Sequence, residues 1–218
     1  MIGKSLAAGN IRTESPGQAV LVAGHQKADM QVPDTVHSAD GVQTGAPGQA
    51  AAVEPWLDRI AAARTGEALD RARALWASLL DAGTYPSPQQ TAELLADFQF
   101  MAIRDRLIAD IPGLDGPMQR ILLGQTEQSP RWSRLEWAEQ ILLHLYTNGA
   151  AQYAAPVLLA VGYISWWQGR SSKAIQFMEL ALDADPRYQL ALLVRRMLRT
   201  GMAAGWSSVK HQSSHSYF

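Results

Sequence analysis

The sequence predicts an all-α protein. It reads as a helical bundle ending in a helical hairpin plus a closing helix, behind a flexible N-terminal segment. Three observations predict this. From residue 51 onward apolar residues recur at helical spacing. Glycines and Ser-Pro pairs punctuate that pattern where helices stop and start. No stretch of residues 51–205 alternates apolar and polar side chains as a strand does. The expected count is six to eight helices over about residues 52–201.

Residues 1–50 contain no Phe, Trp or Tyr, and hold seven glycines. Such a segment buries too little apolar surface to offset the entropy of ordering it. It is expected to be flexible, with one short element at 18–24 and a linker over 38–49. At Pro55 the helical pattern begins, with Trp56, Leu57 and Ile60 on one face and Gly66 as its expected end. A second helix is expected from Glu67 to Leu80, ended by Gly83. Ser87-Pro88-Gln89-Gln90 reads as a reciprocal cap. The Ser hydroxyl accepts from the Gln90 N–H, and the Gln90 side chain reaches back. The following apolar face runs to Pro112, with a break expected near Phe100. A short helix over 117–123 and a longer one from Ser129-Pro130 to about Thr147 complete this half.

Residues 155–188 fit the 34-residue tetratricopeptide pattern. Gly162 and Ala174 are small where two antiparallel helices approach closely. Gly169 supplies the positive φ that ends the first helix. Ser171 or Ser172 is the expected cap of the second helix. Ala181 leaves room for the next one, and Pro186 is expected to start it. The pattern does not repeat one period earlier or later. The reading is therefore one tetratricopeptide-like hairpin, with residues 188–199 as the closing helix. Residues 206–218 are expected to be a disordered tail.

These residues resemble an uncharacterised actinobacterial family catalogued as domain of unknown function 4192. The resemblance rests on Trp167-Gln168-Gly169-Arg170, on Ala174, on the run from Ala181 to Tyr188, and on Leu190-Ala191. It extends upstream to Leu95–Leu107, including Ile103-Arg104-Asp105, and to Ala154-Ala155-Pro156. It covers about residues 67–205. The resemblance implies that longer members carry an α/β N-terminal half, which residues 1–50 are too short to supply. This chain then corresponds to the C-terminal half, and the family's activity is itself unassigned.

Composition narrows the function classes. A net charge of −1 sets up no global field toward nucleic acid or an anionic membrane. The chain has no cysteine, which removes disulfides, thiolate metal sites and cysteine nucleophiles. The longest apolar stretch, residues 154–167, is shorter than the ~20 residues that span a bilayer. With no signal-peptide run, the expected location is the cytoplasm.

Gly3-Lys4-Ser5 lacks the earlier glycine and strand of a phosphate-binding loop. His144 has no second histidine near it, and reads as a partly buried, hydrogen-bonded side chain. His211 and His215 stand four apart, in surroundings that read as a tail. Pairing among Asp70, Arg71 and Arg73, or between Asp105 and Arg106, requires no catalytic role. Arg195, Arg196 and Arg199 on the last helix suit its negative C-terminal end. Tyr163, Trp166 and Trp167 form the richest aromatic group. The sequence leaves open whether they seal the hairpin or expose an anchor for a partner.

No catalytic residue, cofactor or metal ligand is expected, and an enzyme is not favoured. The candidate partner-binding residues are Tyr163, Trp166, Trp167, Arg195 and Arg199. The function expected is a cytoplasmic helical protein-interaction module, whose partner is another protein rather than nucleic acid or membrane. The alternatives are the C-terminal fragment of an enzyme or nucleotide-binding protein whose active half is missing, and a remnant without function.

Overall fold

A computed structural model describes residues 51–126 and 128–206, all within one unit of the chain, Ala46–Phe218. Expectations for residues 1–50 and 207–218, including Gly3-Lys4-Ser5, His211 and His215, fall outside the described residues. Among the described residues the structure is all helical. Nine α-helices run in order: α1 Glu54–Ala62, α2 Thr65–Ala82, α3 Pro88–Asp97, α4 Met101–Asp110, α5 Met118–Leu122, α6 Trp132–Asn148, α7 Ala154–Trp167, α8 Ser171–Ala184 and α9 Gln189–Arg199.

The core is organised around α7. Its 14 residues are the apolar stretch noted in the sequence, and every one is buried. A helix that is apolar all round has no face to give to water, so it must be covered on all sides. The helices α6, α8 and α4 pack against it, with α9 lying on α8. The closest approach is to α8. A Cβ on Gly162 would fall 2.0 Å from Met178 Cε and 3.4 Å from the Ala174 carbonyl oxygen. The absent side chain is what lets the two helices meet. Ala174 and Ala181 on the facing side are also fully buried.

The turn between α7 and α8 closes as a Schellman motif. The Arg170 N–H donates to the Ser165 carbonyl (2.9 Å) and the Gly169 N–H to that of Trp166 (2.9 Å). Gly169 takes φ +78°, which favours glycine. The expected serine cap is not formed. α8 begins at Ser171 itself, with Arg170 in the capping position and no side-chain cap. The tight turn leaves neither serine outside the helix. Pro186 likewise does not start a helix. It lies in a turn in which the Tyr188 N–H donates to the Asp185 carbonyl (3.0 Å), and α9 begins three residues later.

Elsewhere the start and stop signals divide. Ser87 and Gln90 form the reciprocal cap, Gly83 ends α2 at φ +65°, and Phe100 in extended backbone separates α3 from α4. Gly66 ends nothing. The break after α1 falls on Ala63 and Arg64, both extended, and Gly66 lies inside α2. Ser129-Pro130 is also too early. The Arg131 N–H is held by the Pro112 carbonyl (3.0 Å), and α6 starts only at Trp132.

Candidate functional site

The three aromatic candidates face inward. Tyr163 is 7% exposed, Trp166 1% and Trp167 0%. Their neighbours show why. The Trp166 indole donates to the Met202 carbonyl (2.8 Å), and the Trp206 indole donates to the Trp167 carbonyl (2.8 Å). Trp206, expected as the first residue of the tail, is itself buried, with its ring 5.8 Å from that of Trp167. The aromatic group therefore pins the chain after α9 back onto α7. Two glycines permit this close return. The Gly205 N–H bonds the Gly124 carbonyl, and a Cβ on Gly205 would lie 2.5 Å from that oxygen. An exposed aromatic anchor in this group is thus corrected to a buried one.

Tyr163 also borders a polar joint between α4 and the start of α9. Arg104 is almost fully buried. It donates through Nη1 to the Tyr188 hydroxyl (2.7 Å) and through Nε to Asp105 (2.8 Å). Burial pushes the Tyr188 hydroxyl up to about 12, against the pull of Arg104. It pushes Tyr163 up to about 12 as well, with the Asp105 charge adding to the rise. Both stay neutral hydroxyls at ordinary pH, and that of Tyr188 accepts from Arg104. The joint brings together two of the separated stretches on which the family resemblance rests.

The arginine candidates lie on the surface. α9 buries Ala191, Val194 and Leu198. Its outward side carries Leu193, 60% exposed, beside exposed Arg196 and Arg199. Arg195, half-buried, flanks them. Arg199 reaches Glu179 on α8 at 3.2 Å, an exposed pair worth little. Gln189, Leu192, Leu193, the three arginines and Thr200 line a shallow concavity of about 550 Å³.

Arg71 and Arg73 form their ion pairs between helices, whereas Arg104 and Arg106 pair within α4. Arg71 reaches from α2 to Glu93 (2.9 Å) and Asp97 (3.2 Å) on α3. Asp97 is fully buried, and burial pushes its carboxyl up to about 7 against the pull of Arg71, with Glu93 adding to the rise. Arg73 and Arg106 both pair with Asp110 at 2.7 Å, and Asp105 pairs with Arg104 rather than Arg106. Sequence reasoning missed the partners of Arg71 and Arg73 because they lie 22 to 37 residues away, where helical spacing carries no information; Arg106 and Asp110, four apart, share one face of α4.

His144 is half-buried, and burial lowers its pKa. It stacks on Tyr85 at 5.0 Å, with Asn148 Nδ2 3.3 Å from its Nδ1. Among the described residues no group of three or more His, Asp or Glu side chains is placed to hold a metal, and no helix is long and apolar enough to cross a membrane.

A family model described as a domain of unknown function (DUF4192) matches residues 12–204, and the chain belongs to that family. No curated protein and no solved structure matches it.

Proposed function

We propose that this member of the DUF4192 family is a cytoplasmic helical interaction module, and that its tetratricopeptide-like hairpin supports α9 as the contact helix. The observation that carries the reading is the outward side of α9. An exposed leucine, Leu193, stands there among Arg195, Arg196 and Arg199. Apolar side chains ringed by arginines suit a partner that offers an apolar stripe edged by carboxylates. Arginine binds carboxylate bidentately and is favoured at interface anchors. The partner proposed is accordingly an amphipathic helix of another protein with Asp or Glu flanking its apolar side.

A photo-crosslinking residue at Leu193 of the full chain, in cells of the source organism, tests this. A second crosslinker at exposed Tyr85 serves as the control. The expected result is one protein captured from position 193 and not from 85, through a peptide of the stated chemistry. Capture should be lost in Arg195→Glu with Arg199→Glu while circular dichroism is unchanged. Equal capture from both positions, or none by a protein shown to be folded, would overturn the reading.

A further inference from the structure

A second site lies away from α9 and shares no residue with its outward side. The helices α2, α4 and the start of α6 enclose a polar cleft of about 320 Å³. We propose that it binds the terminal phosphate of a small phosphate monoester.

The charge balance of the lining is the first reason. Four arginines meet there: Arg73 from α2, Arg106 from α4, and Arg131 and Arg134 from the start of α6. The one carboxylate inside is Asp110, 19% exposed, and it is shared. Arg73 Nε donates to its Oδ2 and Arg106 Nη2 meets its Oδ1, each at 2.7 Å. Among the described residues Arg134 pairs only with Asp81, whose side chain is 70% exposed at the rim. Asp115 is also exposed. The Arg131 guanidinium makes no ion pair among the described residues. A network that served packing alone would match its cations with carboxylates. Here four arginines line the cleft with three aspartates, so cations exceed carboxylates by one.

Free donors are the second reason. Nε of Arg106 and Nε of Arg134 have almost no solvent-accessible surface and make no hydrogen bond among the described residues, so an anion in the cleft reaches them as the guanidinium groups turn toward it. Buried donors are rarely left so, because an unmade bond costs the full desolvation of the group. A tetrahedral dianion offers several acceptors at once, in the geometry that guanidinium forks match.

The backbone is the third reason. Gly113 takes φ +65°, and a Cβ there would lie 3.1 Å from Arg131 Cδ and 3.4 Å from Arg134 Cδ. Glycine thus allows the turn and lets both arginine stems lie against it. The cleft is also bounded by the N-terminal turn of a 17-residue helix, whose dipole favours an anion. A monoester carries about two charges at neutral pH, whereas a nucleic-acid phosphodiester carries one. A lining of four arginines and three aspartates, with only Asp110 shielded between two of the arginines, favours the former.

The test uses the full chain with arginine Nε–Hε resonances observed by NMR, at ionic strength held constant with chloride. The probes are inorganic phosphate, glycerol 3-phosphate and a single-stranded oligonucleotide without a terminal phosphate. The Arg106 and Arg134 resonances are expected to shift saturably with phosphate and more tightly with glycerol 3-phosphate. Arg131→Gln, which breaks no ion pair, should weaken that binding about tenfold, the loss of one charge-assisted contact. Arg120→Gln, outside the cleft, should leave it unchanged. Shifts that do not saturate, or equal weakening in both variants, would overturn the proposal. Tighter binding of the oligonucleotide than of glycerol 3-phosphate would overturn the monoester assignment.

Discussion

The helices α7 and α9 both carried candidate contact residues, and the structure treats them in opposite ways. α7 is buried along its whole length, so its tyrosine and tryptophans serve the interior. α9 buries one stripe and turns a leucine and arginines outward. The difference lies in amphipathicity rather than in residue type. Aromatics suit interfaces and cores equally, and only the pattern around them decides which surface is available. In α7 nothing polar interrupts the apolar run from Ala154 to Ile164 except Tyr163, whereas in α9 the arginines recur on the side that Ala191, Val194 and Leu198 leave free.

The comparison is broken most severely by placing charge in α7. Leu158 is 2% exposed, between α7 and its neighbours. Leu158→Asp should cost at least about 4 kcal/mol through an unpaired buried charge. Thermal melting by circular dichroism is expected to show loss of the folded state. Unchanged melting would contradict the placement of α7 at the centre. The next largest effect is at the pin after α9. Trp206→Ala should cost about 3–5 kcal/mol, read as a lower denaturant midpoint. A midpoint within experimental error of the parent would mean that residues 202–206 are not held by the indole contacts.

A pH-dependent effect separates the buried Asp97 from both helices. Its folded-state pKa is raised to about 7, above the ordinary carboxylate value near 4. Between about pH 4 and pH 7 the folded chain keeps a proton that the unfolded chain loses, so this group makes stability fall as pH rises through that window. Asp97→Asn should flatten that fall relative to the parent, measured by urea unfolding at several pH values. An identical slope in the two proteins would contradict it. The smallest stability effect is expected on the outward side of α9. Leu193→Asp should alter stability by no more than about 0.5 kcal/mol while abolishing capture of a partner. A large loss of stability would show that Leu193 is covered.

Much of the helical architecture was legible because its signals are local. The Ser87–Gln90 cap, the turn at Gly169, the break at Phe100 and the apolar run of α7 each depend on residues within one or two turns of each other. The failures have different physical causes. A distant partner sets the start of α6, where the Pro112 carbonyl holds Arg131, whereas the tight turn at Gly169 takes Ser171 into α8 and the break after α1 falls on extended Ala63 and Arg64 ahead of Gly66. The polar sites were less legible still. The spacing of Arg106 and Asp110 is local, but no spacing rule reveals that Arg73 reaches the same carboxylate or that Arg131 and Arg134 line the same cleft. Likewise Trp206 looked like part of a disordered tail, because its partner Trp167 lies 39 residues earlier.

The contrast between α7 and α9 can be measured directly by hydroxyl-radical footprinting of the full chain, with rates normalised to intrinsic reactivity. The account predicts rapid modification of Leu193, Met101 and Met202, and protection of Trp166, Trp167 and Trp206. Modification of Trp166 and Trp167 at rates matching Met101, with Leu193 protected, would contradict it by reversing which helix faces outward.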